Sequence, residues 1–110
     1  MSTPLVNLND ESLRAHLAEK KTPLLLAFWA PWCGPSAVMD GLLKELASDY
    51  QKRVLVGRLN VDENAHSPAL YGVKTIPHLI LFNKSDVCAQ LSGPVPKAKI
   101  VELIERHCPY

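Results

Sequence analysis

A cysteine and a serine stand three residues apart in the stretch AFWAPWCGPSAVM, Ala27 to Met39, as Cys33 and Ser36. A thiol reacts as its thiolate, and the thiolate is both nucleophile and metal ligand. The stretch passes from a strand-like apolar run into a helix-like one, which puts Cys33 where a helix begins. A helix start leaves backbone N–H groups unpaired and presents the positive end of the helix dipole, and both favour thiolate over thiol. Nucleophilic attack by one sulfur is the chemistry this offers. A buried helix-start cysteine without chemistry is the bland alternative, and position by itself does not separate the two. Ser36 can donate a hydrogen bond but cannot form a disulfide.

The chain has three cysteines, an odd number and widely spaced, so they suggest neither a disulfide framework nor a zinc cluster. Cys88, in VCAQL, reads as a small buried hydrophobe. Cys108, in the tail RHCPY, reads as exposed and incidental. His16, His66 and His107 look solvated and have no metal-ligand spacing, so no metal and no cofactor are expected.

The 110 residues, 47% of them hydrophobic, are expected to form one small domain over 1–110. Twelve basic and eleven acidic residues leave a net charge of +1 with no basic stripe, which argues against nucleic acid. The uncharged run Pro23 to Cys33 is too short to cross a bilayer and contains Pro31. Residues 1–20 are too polar for a secretory signal, so a cytoplasmic location is expected.

Apolar periodicity alternates between strand and helix, an α/β pattern. After the extended PLVNL, Asn9 or Asp10 can cap a helix carrying Leu13 and Leu17 that fades near Lys20 to Thr22. PLLLAFW is a continuous apolar run of strand length, suited to a central parallel strand. Val38, Met39, Leu42, Leu43, Leu46 and Ala47 recur at helical spacing from Pro35 onward. RVLVGRLNVD is a second buried strand. In NAHSPALYG, Ser67 can cap a short helix with Pro68 at its first position and Gly72 at its end. IPHLILF, the turn NKSD and VCAQLS read as a hairpin, and Ile100, Leu103 and Ile104 mark a closing helix after Gly93 and Pro94. The predicted order is βαβαβαββα, with parallel strands early and an antiparallel pair late.

FWAPWCGPS resembles the active-site segment of the thioredoxin family, and TIPHLILF resembles the thioredoxin stretch in which a cis-proline lies against the active-site cysteine. LNVDEN, YGVKTIP and Gly93 also match, in order and without gaps, so the likeness runs from Leu5 to about His107. It implies a thioredoxin fold: a central mixed five-stranded sheet, its first three strands parallel and its last two an antiparallel hairpin, flanked by four helices. It also implies Cys33 as the attacking sulfur, with Trp32, Gly34 and Pro35 shaping the rim. Pro77 would lie in cis beside it, and Ile76 would offer backbone hydrogen bonds to an extended protein segment bearing a disulfide. His78 could then tune the thiolate, or simply be a polar strand-end residue, the reading favoured here. Trp29 is expected to pack and Trp32 to make surface contacts.

Ser36 stands where the family has its resolving cysteine, and Ala27 where it has a buried acid. The basic partner of that acid corresponds to Arg58, and Gly41 replaces a proline. One thiol then implies a mixed disulfide that waits for glutathione, thioredoxin reductase or another external thiol. Natural divergence explains both Ser36 and Ala27; an engineered cysteine-to-serine trap explains only Ser36. CGPS also resembles the CGFS site of monothiol glutaredoxins, which share an iron–sulfur cluster, but the paired glycines after their cis-proline strand are missing. The leading expectation is a monomeric thiol–disulfide oxidoreductase with one active-site cysteine. Its rival is a binding or chaperone-like module using the same groove.

Overall fold

The computed structural model describes residues 5–109; the N-terminal part of the expected domain 1–110, including Pro4 of PLVNL, and Tyr110 lie outside them. The elements are β1 (Val6–Leu8), α1 (Asp10–Glu19), β2 (Leu24–Trp29), α2 (Gly34–Asp49), β3 (Leu55–Asn60), α3 (His66–Leu70), β4 (His78–Asn83), β5 (Asp86–Ser92) and α4 (Lys97–His107). The five strands form one sheet in the order β1-β3-β2-β4-β5. β1, β3 and β2 run parallel, and β4 lies antiparallel to both β2 and β5. This is the thioredoxin-type mixed sheet with four helices.

β2 is apolar throughout because both its faces are covered. Leu25 and Ala27 point to the side of α2 and α4, where they meet Met39, Leu43, Leu46, Ile100 and Ile104. Leu24, Leu26 and Phe28 point the other way, to Leu13 of α1 and to Tyr71, Val73 and Ile76. Each fully buried leucine on this strand contributes about 2 kcal/mol by leaving water. β4 repeats the alternation, Leu79 and Leu81 on one side and Ile80 and Phe82 on the other. At Gly57 a Cβ would come within 3.0 Å of Leu8 Cδ1 and 3.2 Å of the Val6 carbonyl, so a glycine lets β1 close on β3.

Local sequence starts α1: Asn9 Oδ1 accepts from Ser12 N and Ser12 Oγ accepts from Asn9 N, a closed capping box. Two expectations about helices are corrected. Val38 is 80% exposed, because α2 buries the stripe Ser36, Met39, Leu43 and Leu46/Ala47, and Val38 falls off that stripe. Ser67 does not cap α3, and Pro68 is its third residue rather than its first. The cap comes from α1 instead, where the Asp10 carboxylate accepts from the N–H groups of His66 and Ser67 at 3.2 and 2.9 Å. Asn64 Oδ1 accepts from Asp10 N in return. The two helix starts thus satisfy each other's orphan donors across more than fifty residues of chain.

Candidate active site

The site lies at the end of the sheet where β2 finishes and β4 begins, Phe28 being paired with His78. Cys33 is the N-cap of α2, with an extended backbone at φ −97° and no side-chain capping bond. Its N–H donates to Ala30 O at 3.1 Å, closing the turn that lifts the chain from β2 into the helix. Pro35 is tolerated in the first helical turn because an N–H there has no intrahelical partner to lose. The thiol is 7% exposed, and its Sγ lies 3.7 Å from the carbonyl oxygen of Ile76, to which it donates. That carbonyl belongs to the Ile76–Pro77 peptide, which is cis.

Pro77 is held from behind. Its carbonyl accepts from Gly93 N at 2.7 Å, and Gly93 takes a φ of +80° that side-chain-bearing residues rarely adopt. Trp32 is 69% exposed, yet its indole N–H donates to Asp62 Oδ1 at 3.0 Å, which fixes the ring on the loop after β3. Between that ring and the segment before Pro77 runs an open groove of about 380 Å³, lined by Val61, Pro68, Val73, Lys74, Thr75 and Ile76. Sequence reasoning named Trp32 and Ile76 but missed Asp62; the aspartate in LNVDEN carries no local sign of its partner.

Ser36 is 2% exposed, and its hydroxyl is occupied with backbone. Oγ lies 2.9 Å from Cys33 O and 3.2 Å from Ala30 O, both acceptors. Among the described residues no hydrogen bond joins it to the Cys33 sulfur, so its one proton is committed to the turn. The hydrogen bond that Ser36 can donate goes to the backbone of that turn. His78 takes the plainer of its two readings: Nε2 meets Gln90 Oε1 at 2.8 Å, Nδ1 meets Ser92 Oγ at 3.2 Å, and the ring stacks edge-on to Phe28. Both nitrogens are taken, and the thiol is not among their partners.

Beneath the site lies an ion pair between β3 and α2. Ala27 is 2% exposed and sits in register with Arg58 on β3. Arg58 Nη1 donates to Asp40 Oδ2 on α2 at 2.7 Å, Nε donates to Asn7 Oδ1 at 2.7 Å, and the guanidinium covers the Trp29 ring at 4.3 Å. Asp40 lies seven residues after Cys33, on the same helix face as Cys33 and Ser36. Among the described residues, its Oδ1 is buried without a hydrogen-bond partner. The carboxylate that meets Arg58 therefore comes from α2, from a residue that sequence reasoning passed over.

The other two cysteines depart from expectation. Cys108 is buried at 5% exposure rather than exposed, because α4 carries it back onto the core. Cys88 is half-buried rather than fully buried. Neither joins the site. No group of three or more His, Cys, Asp or Glu side chains able to hold a metal occurs among the described residues, and no helix among them is long and apolar enough to cross a membrane.

A thioredoxin family model matches residues 4–106. The thioredoxin of Haemophilus influenzae is 36% identical over 103 residues, covering 94% of this chain and 96% of that protein. The thioredoxin of Pseudomonas aeruginosa is 37% identical over 105 residues, 96% and 97% of the two chains. The chloroplastic M-type thioredoxin of Chlamydomonas reinhardtii is 34% identical over 100 residues, 91% and 71%. With that similarity over nearly its whole length, and with the mixed sheet described above, the chain belongs to the thioredoxin family, whose members are thiol–disulfide oxidoreductases.

Proposed function

We propose that this protein is a thiol–disulfide oxidoreductase that works with Cys33 as its one active-site sulfur. The observation that carries the reading is the placement of that sulfur at the start of α2, 3.7 Å from the Ile76 carbonyl and beside the groove along Trp32. An extended protein segment bearing a cystine lies along Ile76 and Pro77. The Cys33 thiolate, at the positive end of the α2 dipole, attacks one sulfur of that cystine. The substrate S–S bond breaks, a Cys33–substrate S–S bond forms, and the departing thiolate takes a proton from water.

Release needs a second thiol, and Ser36 supplies none. Glutathione, or the dithiol of a thioredoxin reductase, attacks the mixed disulfide from outside and returns Cys33 to the reduced state. The protein acts as a monomer in the cytoplasm and takes protein disulfides, not nucleic acid or membranes. The pairing of Asp40 with Arg58 favours natural divergence over a trap engineered at position 36, because a single substitution would leave the charges beneath the site as they were.

The reading in which the groove binds a partner without chemistry draws on one observation, the commitment of the Ser36 hydroxyl to backbone carbonyls. Insulin reduction separates the two. Glutathione-dependent activity that is lost in Cys33→Ala supports the oxidoreductase. Absence of activity together with partner binding that survives Cys33→Ala contradicts it and supports the binding module.

A further inference from the structure

Cys88 and Cys108 are both outside the site, at the opposite end of the sheet. Strand β5 carries an irregularity there: Ala89 pairs with Leu81 and Val87 with Phe82, which leaves Cys88 as an extra residue without a cross-strand partner. A bulge of this kind re-aims a side chain. In a regular strand Cys88 and Ala89 would face opposite sides of the sheet. Here both pack against the cluster between the sheet and helices α2 and α4, and Cys108 is itself a member of that cluster.

A second contact brings the two cysteines' segments together. Asn83, at the last position of β4 and paired with Asp86, donates from Nδ2 to the His107 carbonyl at 2.9 Å. Arg53 Nη2 donates to the Cys108 carbonyl at 3.1 Å and ties the same helix end down. The end of α4 is thus fixed over the hairpin whose bulged residue is Cys88. Burial pushes the Cys108 thiol up, a charge on Cys88 adds to this, and the Arg53 guanidinium opposes it.

We propose that Cys88 and Cys108 are a second redox pair, which closes to an intramolecular disulfide when the protein meets a small disulfide oxidant such as oxidised glutathione. Cys88, the more accessible, attacks first: its thiolate takes one sulfur of oxidised glutathione and expels one glutathione thiolate. Cys108 then gives up its proton to water and attacks the Cys88 sulfur, which expels the second glutathione. Two thiols are oxidised and one glutathione disulfide is reduced to two glutathiones. The bond would fasten α4 to the edge strand and leave Cys33 untouched, so the two chemistries stand or fall separately.

The test uses full-length Cys33→Ala, so that only these two sulfurs remain. The folded protein is held in oxidised glutathione, quenched with acid, alkylated and mapped by mass spectrometry. Expected are the loss of two hydrogens from the intact mass, a crosslinked peptide joining Cys88 to Cys108, and a melting temperature raised by about 5 °C or more. Cys88→Ser, at a half-exposed edge-strand position, keeps the fold and should leave Cys108 reduced and slow to alkylate until unfolded. Glutathione retained on Cys88 with Cys108 still reduced, or a crosslink that forms only after unfolding, overturns the proposal.

Discussion

Replacing Ser36 by cysteine returns a second sulfur to the first turn of α2 and tests the idea that release limits turnover. Residues three apart on a helix hold their Cβ atoms about 5–6 Å apart, and a disulfide needs about 3.5–4.5 Å. The non-helical backbone of Cys33 gives room to close that gap. The cost in the reduced protein is small: the serine hydroxyl loses its contacts with Cys33 O and Ala30 O, about 1 kcal/mol of net stability. Well-oriented intramolecular reactions reach effective molarities of about 10⁵–10⁸ M. Even a millionth of the lower figure, ~0.1 M, exceeds external glutathione at ~1 mM by roughly a hundredfold. Single-turnover release of a fluorescent peptide from its Cys33 mixed disulfide, in ~1 mM glutathione, should therefore accelerate by about a hundredfold or more in Ser36→Cys. If the variant forms a disulfide between Cys33 and the introduced sulfur yet releases peptide no faster than the parent, external-thiol attack is not the slow step and the reasoning fails.

The charge pair below the site gives a double-mutant cycle. Ala27→Asp alone buries a carboxylate whose natural cation is already engaged by Asp40, and should cost about 3 kcal/mol or more in urea denaturation. In an Asp40→Ala background the same change should cost at least about 1 kcal/mol less, roughly the smallest clear coupling; strict additivity would mean that Arg58 does not choose between the two acids. Gly93→Ala should lose about 1–2 kcal/mol, since its φ of +80° strains any residue with a Cβ; an unchanged denaturation midpoint would contradict that. Acid should loosen the α1–α3 junction. Burial works to raise the Asp10 carboxyl, but hydrogen bonds from Ser67 and His66 outweigh it and hold the pKa below the ordinary value. The stability this adds is fully present above about pH 4 and disappears as pH falls through the lower folded value. The melting-temperature gap between the parent and Asp10→Asn should accordingly narrow between about pH 6 and pH 3, and a constant gap would refute the linkage.

The elements that sequence made legible are those specified by neighbours along the chain. Asn9 and Ser12 close a capping box within one turn, and LLLAFW is apolar at every position because both faces of β2 are covered. The thiol's place at the start of α2 follows from the strand-to-helix change around Cys33. What escaped depends on partners distant in sequence. Nothing near Ser67 announces that Asp10 caps its helix, and nothing in MDGLL ties Asp40 to Arg58, eighteen residues later. Val38 escapes the pattern because residues 38, 39, 42, 43, 46 and 47 fit a wide stripe, and only packing against the sheet shows which edge of it faces inward. Cys108 looks peripheral in RHCPY, yet the last turn of α4 folds it onto the core. The bulge at Cys88 leaves no trace in VCAQL, since an extra residue shows only against the partner strand.

The most direct measurement is the intact mass of the protein after brief exposure, without glutathione, to a peptide carrying one disulfide, with Cys33→Ala treated in parallel. The account predicts one peptide half joined to Cys33, absent from Cys33→Ala, persisting until glutathione is added and then lost. A Cys33 that carries no adduct, or an adduct that resolves with no outside thiol present, would contradict it.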